Sequence, residues 1–154
     1  PDQRGTDPLA FRGQHEHSLD SKDRLTIPSK LRAQLADGAV LLAGLDPCVE
    51  IWPRQGFAQF TERFLAGLNP LSRKARMLRR RFHANAQDEE LDSAGRVRLA
   101  KHLIEHAGLS GTCIVVGVED HLEVWDPQRW AEHSAEIDAQ AGEMAEELAG
   151  LDEE

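Results

Sequence analysis

The sequence predicts a mixed α+β fold built from two copies of one unit, interleaved about a pseudo-two-fold axis. Three observations predict it. Asp20-Ser21-Lys22-Asp23-Arg24-Leu25-Thr26-Ile27 returns 72 residues later as Asp92-Ser93-Ala94-Gly95-Arg96-Val97-Arg98-Leu99. Glu50-Ile51-Trp52 returns as Glu123-Val124-Trp125. Each copy reads strand, turn, strand, helix, strand, strand, helix, which is too little to close a core alone. Two copies that exchange their hairpins can bury a shared one.

Residues 1–13 lack apolar periodicity and are expected to be a disordered extension. The first copy spans residues 14–66. Residues 14–19 have strand character, and Leu19 leads into the Asp20 turn. Leu25, Thr26 and Ile27 alternate as a second short strand, which Pro28 ends. Ser29 is placed to cap a helix with Leu31 and Leu35 as its buried stripe. Strands follow at Val40-Leu41-Leu42 and Val49-Glu50-Ile51-Trp52, then a helix with Phe57, Phe60 and Phe64.

The second copy spans residues 86–138. It answers with Cys113-Ile114-Val115-Val116, Leu122-Glu123-Val124-Trp125 and a helix holding Trp130 and Ile137. Gly44 and Gly117, like the two Glu-x-Trp motifs, lie 73 apart, so the alignment gains one residue before the third strand. Residues 67–85 read as a basic linker helix. Leu71, Ala75, Leu78 and Phe82 form its apolar stripe, and Arg73, Lys74, Arg76, Arg79, Arg80 and Arg81 cover the rest. Residues 139–154 are an acidic tail, either a frayed helix or disordered.

The net charge of −9 hides an asymmetry. Residues 131–154 carry nine acids and no Lys or Arg, which leaves 18 acids against 18 bases in residues 1–130. A neutral body with an acidic tail does not exclude an anionic partner, because local fields decide that. No apolar run approaches the roughly 18 residues of a membrane span, and no basic-then-apolar leader is present. Cys48 and Cys113 belong to no metal-spaced pair and read as buried thiols of a reducing compartment.

These residues carry a resemblance. The Asp20…Arg24 and Asp92…Arg96 turns, the strand-helix runs after them, the Glu-x-Trp strands and the basic helix between the copies resemble the MraZ family of bacterial transcriptional regulators. The likeness runs from about Phe11 to Ile137. It implies a tandem swapped-hairpin β-barrel of the AbrB type with flanking helices. It implies ring-shaped homo-oligomers, octameric or larger, that bind G-rich direct repeats in double-stranded promoter DNA of the division and cell-wall gene cluster. It places the protein in the cytoplasm with the nucleoid. The family turn usually reads Asp-x-Lys-Gly-Arg; here Asp23 stands at the Gly position and Ala94 at the Lys position of the second copy.

The chemistry of the turns fits that implication. Guanine exposes N7 and O6 in the major groove, and a guanidinium is a planar fork that meets both. Arg24 is the expected reader. Asp20 is expected to accept turn amides or to orient Arg24. Lys22 suits a phosphate, and Lys30 and Arg32 are expected to flank the groove. Asp92 and Arg96 are expected to support fold and assembly first, with DNA contact second. The bland alternative, a solvated turn with a local salt bridge, does not account for the duplication. The basic helix at residues 73–81 suits either phosphates or a subunit interface.

His102 and His106, and His15 and His17, share a face in pairs but lack a third ligand, so no metal is expected. Trp52 and Trp125 read as core anchors. No phosphate-cradling Gly-rich loop, nucleophile elbow or His-Glu-x-x-His motif is present, so neither an enzyme, a cofactor nor a small-molecule substrate is expected. The competing reading is an oligomeric scaffold without sequence-specific DNA binding.

Overall fold

Leu25 and Val97 face each other at the middle of the molecule, 0% and 1% exposed. They belong to β2 (Arg24–Thr26) and β6 (Arg96–Arg98), a two-stranded antiparallel ribbon contributed by both copies. Amides reach across it: Ile27 N–H donates to the Gly95 carbonyl and Leu99 N–H to the Asp23 carbonyl, both at 2.9 Å. The computed structural model describes residues 10–152.

The other strands are β1 (Gln14–Ser18), β3 (Ala39–Ala43), β4 (Val49–Pro53), β5 (Gln87–Glu89), β7 (Thr112–Gly117) and β8 (Leu122–Trp125). They form one antiparallel sheet in the order β1-β7-β8-β4-β3-β5. Each copy lends its leading strand to the other: β1 lies on β7, and β5 lies on β3. At the centre β4 meets β8, with Glu50 directly opposite Glu123. The hairpins are therefore exchanged as the duplication predicts. The ladder ends at β1 and β5 and does not close on itself, so among the described residues the strands make an open sheet plus a ribbon and not one continuous barrel.

Alternation along the strands assigns the two faces. Leu41, Ile51, Val115 and Val124 point to the main core, where they meet Leu25, Ile27, Val97 and Leu99 of the ribbon segments. Helical segments complete that core. A 3-10 helix, Ser29–Leu35, supplies Leu31 and Leu35 in the first copy; α3 (Lys101–Ala107) supplies Leu103 and Ala107 in the second. On the opposite face, α1 (Arg54–Phe64) and α2 (Arg73–His83) pack Phe57 and Phe82 on Val40, Leu42 and Trp52. A smaller cluster of Cys48, Val116, Trp125, Ile114 and Trp130 lies beneath the start of α4 (Pro127–Asp152).

Several expectations are corrected. Phe11 is completely buried and bridges Glu119, so the extension expected through residue 13 ends before Phe11; residues 1–9 lie outside the described residues. Ser29 is the first residue of its helix and not the cap. Pro28 occupies the cap with φ −49°, and no side chain bonds the exposed amides. On α2 only Ala75 and Phe82 are buried; Leu78 is 42% exposed, and Leu71, 84% exposed, lies outside the helix, which starts at Arg73 behind a Ser72 cap. The acidic segment continues α4 without a break to Asp152.

The repeat alignment is also off by one residue at the third strand. Trp52 pairs with Val40 and Trp125 with Ile114, residues 74 apart (114 less 40). Two residues are gained before the third strand and one is lost in the hairpin loop after it. Gly44 N–H closes that loop on Cys48, and Val118 N–H does so on His121. Cys48 and Cys113 are free, buried and in separate clusters. Burial pushes the Cys113 thiol up to about 11 and the Cys48 thiol higher still.

Candidate nucleic-acid interface

The turn from Asp20 to Arg24 is a three-residue hairpin loop with a left-handed residue at its end. Asp20 N–H donates to the Arg24 carbonyl at 3.0 Å, and Asp23 N–H donates back to the Asp20 carbonyl at 3.0 Å. Asp20 Oδ1 accepts the amides of Lys22 and Arg24, each at 2.9 Å, and Oδ2 accepts Arg24 Nε at 2.7 Å. The second turn repeats the scheme. Asp92 Oδ1 accepts the amides of Ala94 and Arg96 at 2.9 Å, and Oδ2 accepts Arg96 Nε at 2.8 Å. Both expected roles of Asp20, amide acceptor and orienter of the arginine, are thus filled by one carboxylate using two oxygens.

The electrostatics follow from those bonds. The Arg24 amide, helped by the Arg24 side chain and the Lys22 amide, holds the Asp20 carboxyl at about 2 against an opposing effect of desolvation second only to that amide. The Arg96 amide and side chain lower Asp92 in the same way. Each arginine spends its Nε–H on its aspartate, which leaves the outer edge of the fork directed by a fixed carboxylate.

The left-handed position is Asp23 at φ 60° in the first turn and Gly95 at φ 77° in the second. Asp tolerates this region better than most residues, so the turn survives without glycine. At Gly95 a side chain has no room, because a Cβ there would overlap the Arg32 guanidinium. Arg32 therefore does not flank a groove freely. Its Nε donates to the Ile27 carbonyl at 2.8 Å and its head packs on the opposite copy's turn. Lys22 and Lys30 are exposed, Lys30 on the first turn of the 3-10 helix.

The two turns form one patch. Arg96 Nη1 stands 4.0 Å from Asp20 Oδ2, across the pseudo-two-fold axis, and Arg24 pairs in register with Arg98. Because Leu25 and Val97 point inward, Arg24, Thr26, Arg96 and Arg98 share the outer face of the ribbon. The two turns, for which different roles were expected, thus lie on one face, with Lys22 added by the first copy and Arg98 by the second. Arg98 was not among the expected candidates, yet it stands on the same face. Its signal was the alternation Arg96-Val97-Arg98, which puts both cations on one face.

The remaining candidates lie apart. Arg81 is committed to the fold, donating to the carbonyls of Ala43 and Gly44 at 2.9 and 2.8 Å. His102 and His106 bond the separate carbonyls of Asn85 and Asp46 and do not converge. Trp52 and Trp125 are buried, and each indole N–H donates at 2.9 Å to the glutamate two residues before it. Among the described residues no helix is long and apolar enough to cross a membrane.

The geometry defines a class: an internally duplicated, strand-exchanged protein with paired Asp–Arg turns on a shared basic ribbon. The family model described as "MraZ protein, putative antitoxin-like" matches the chain twice, over residues 10–81 and 82–152. Relatives carrying the name Transcriptional regulator MraZ include one from Lactobacillus delbrueckii subsp. bulgaricus, 38% identical over 92% of this chain and 99% of its own length. One from Symbiobacterium thermophilum is 40% identical over 89% of this chain and 96% of its own. One from a Nocardioides species is 39% identical over 92% and 97%. The chain belongs to the MraZ family.

Proposed function

We propose that the protein is a DNA-binding transcriptional regulator, not an enzyme, and that the β2–β6 ribbon is its reading surface. The observation that carries this reading is the side-by-side placement of Arg24 and Arg96, each held at Nε by its own aspartate. The relatives' shared name supports the regulatory role. An arginine oriented this way presents its remaining N–H groups to N7 and O6 of guanine, which makes a G-rich site the best match. Lys22 and Arg98 lie beside the readers and suit the phosphates on either side. Asp20 and Asp92 work through the arginines as positioning residues. Lys30 lies farther out on the same copy and adds field more than contact.

One ribbon reads a short stretch. Direct repeats in double-stranded promoter DNA call for several ribbons in one orientation, as a ring of identical subunits supplies. The division and cell-wall gene cluster is the target we assign, and the nucleoid the place of action. The test is a mobility shift with the gene's own upstream fragment and a scrambled fragment of equal length. The reading predicts a shift of the first alone at physiological salt. Equal shifts of both would leave only non-specific binding, and no shift would favour an oligomeric scaffold.

A further inference from the structure

The two central strands carry a repeated pattern of donor side chains. Cys48-Val49-Glu50-Ile51-Trp52 returns 73 residues later as His121-Leu122-Glu123-Val124-Trp125. In each copy the first donor stands just before the strand, β4 or β8, and the glutamate two places on, which puts both on one face. β4 and β8 are neighbours with Glu50 directly opposite Glu123, so the two donor pairs meet across the pseudo-two-fold axis.

Glu50 and Glu123 each commit Oε1 to the indole N–H of the tryptophan two residues on. Their Oε2 atoms accept no hydrogen bond among the described residues, and like charges directly opposite on a sheet repel. The Cys48 thiol stands with them: its Sγ and one oxygen of each carboxylate all lie within 4.8 Å of one another. Cys48 is 0% exposed. Among the described residues its Sγ has no hydrogen-bond partner, whereas Cys113 Sγ donates to the Gly111 carbonyl at 3.4 Å.

His121 completes the set from the other copy. Its Nδ1 is 2.7 Å from Asp120 Oδ1, and its Nε2, fully buried and without a hydrogen-bond partner, stands 3.5 Å from Glu123 Oε2. A ring that gives Nδ1–H to a carboxylate and keeps Nε2 for another partner has the form of a metal-ligating histidine. Gly44 holds space open beside two of the donors: a Cβ there would stand 2.9 Å from Cys48 Sγ and 3.1 Å from Glu50 Oε2. Glu123 and Asp46 line one groove beside the sheet, which gives a hydrated cation a way in.

We propose that Cys48, Glu50 and Glu123, with His121 as fourth donor, form a site for a thiophilic divalent cation such as Zn2+, which ties the two copies together at the sheet centre. One thiolate, one imidazole and two carboxylates suit Zn2+ and not Mg2+ or Ca2+, which take oxygen ligands. Tetrahedral ligands at about 2.0–2.3 Å from zinc stand roughly 3.5 Å apart, so small side-chain rotations close the set. Binding releases the thiol proton and displaces any proton on His121 Nε2. Spacing along the chain hides this site, because its halves come from different copies. It stands apart from the DNA-reading assignment.

The experiment is a Co2+ titration of the purified full chain, first stripped of metal by chelator and then followed by absorption. The expected result is one Co2+ per chain, with a near-ultraviolet thiolate-to-cobalt band and the visible bands of tetrahedral cobalt, all displaced by Zn2+. Cys48→Ser loses the thiolate band and Cys113→Ser keeps it. Glu123→Gln and His121→Gln each weaken binding about tenfold or more. Zn2+ raises the melting temperature of the parent and not of Cys48→Ser. Circular dichroism controls for folding. The chain has two cysteines, so a band kept in Cys113→Ser assigns Cys48 even where Cys48→Ser does not fold. A parent without the thiolate band at micromolar Co2+ overturns the proposal, as does a band that survives Cys48→Ser or is lost in Cys113→Ser.

Discussion

Asp20 ionises at about 2 in the folded chain because the Arg24 and Lys22 amides and the Arg24 side chain all favour its charged form. In the unfolded chain it ionises near 3.8. The ionised carboxylate thus stabilises the fold above about pH 4, and that stabilisation is lost as the pH falls through the folded value. Melting temperatures of the parent and Asp20→Asn between pH 2 and 5 should converge toward the acid end; a constant gap would show that the charge contributes nothing. The neighbouring left-handed site gives a sharper contrast. Gly95→Ala forces a β-carbon into αL geometry and onto Arg32, and should cost about 2 kcal/mol in chemical denaturation. Asp23→Gly relieves the same conformation and should leave stability unchanged or raise it by up to about 1 kcal/mol. It also removes an anion beside Arg24 and should tighten DNA binding. A stability loss for Asp23→Gly would mean that the Asp side chain bonds the turn.

The β4–β8 pairing at the sheet centre is fastened by a ring stack between the copies. His121, just before β8, lies on Trp52 of β4 at 4.3 Å with 9° between planes. Its Nδ1 is 2.7 Å from Asp120, and Nε2 stands 3.5 Å from Glu123. Burial opposes the charged ring, but the nearby carboxylates of Glu123 and Asp120 and the field of Glu50 prevail and raise its pKa. A raised histidine stabilises the fold below its unfolded value of about 6.5 and ceases to do so as pH rises through the folded value. The stability advantage of the parent over His121→Gln should therefore be larger at pH 6 than at pH 9. An advantage that grows with pH would contradict the charged pairing and leave only the stack. The sequence offered no handle on this residue, since its ring partner sits in the other copy.

At the level of the whole chain, the duplication made the exchanged architecture legible. The main core draws on both copies, and Leu25 and Val97 recur where that shared core needs them. What stayed hidden has physical causes. The strand Gln14–Ser18 carries no fully buried side chain, so nothing local says which hairpin it joins. The one-residue slip at the third strand is invisible because gains before it and a loss after it nearly cancel. Phe11 is a lone aromatic among turn residues, and its burial depends on the bridge to Glu119 and on packing in the main core, both set by distant segments. The arginines stood out in the sequence as candidate readers, but their union in one patch did not, because it depends on β2 and β6 lying side by side.

The central claim is that this joint ribbon reads guanine through Arg24. The most direct measurement is the affinity of the parent and of Arg24→Ala for the upstream fragment and a scrambled one, at several salt concentrations. The account predicts that Arg24→Ala loses about 1–3 kcal/mol per engaged subunit on the upstream fragment and little on the scrambled one, and that Arg24→Lys does not restore the difference. Lys22→Ala should instead weaken both DNAs alike and reduce the salt slope by about one unit per lost contact. An Arg24→Ala chain that keeps its fold and still separates the two fragments as well as the parent would make Arg24 a structural turn residue and contradict the account.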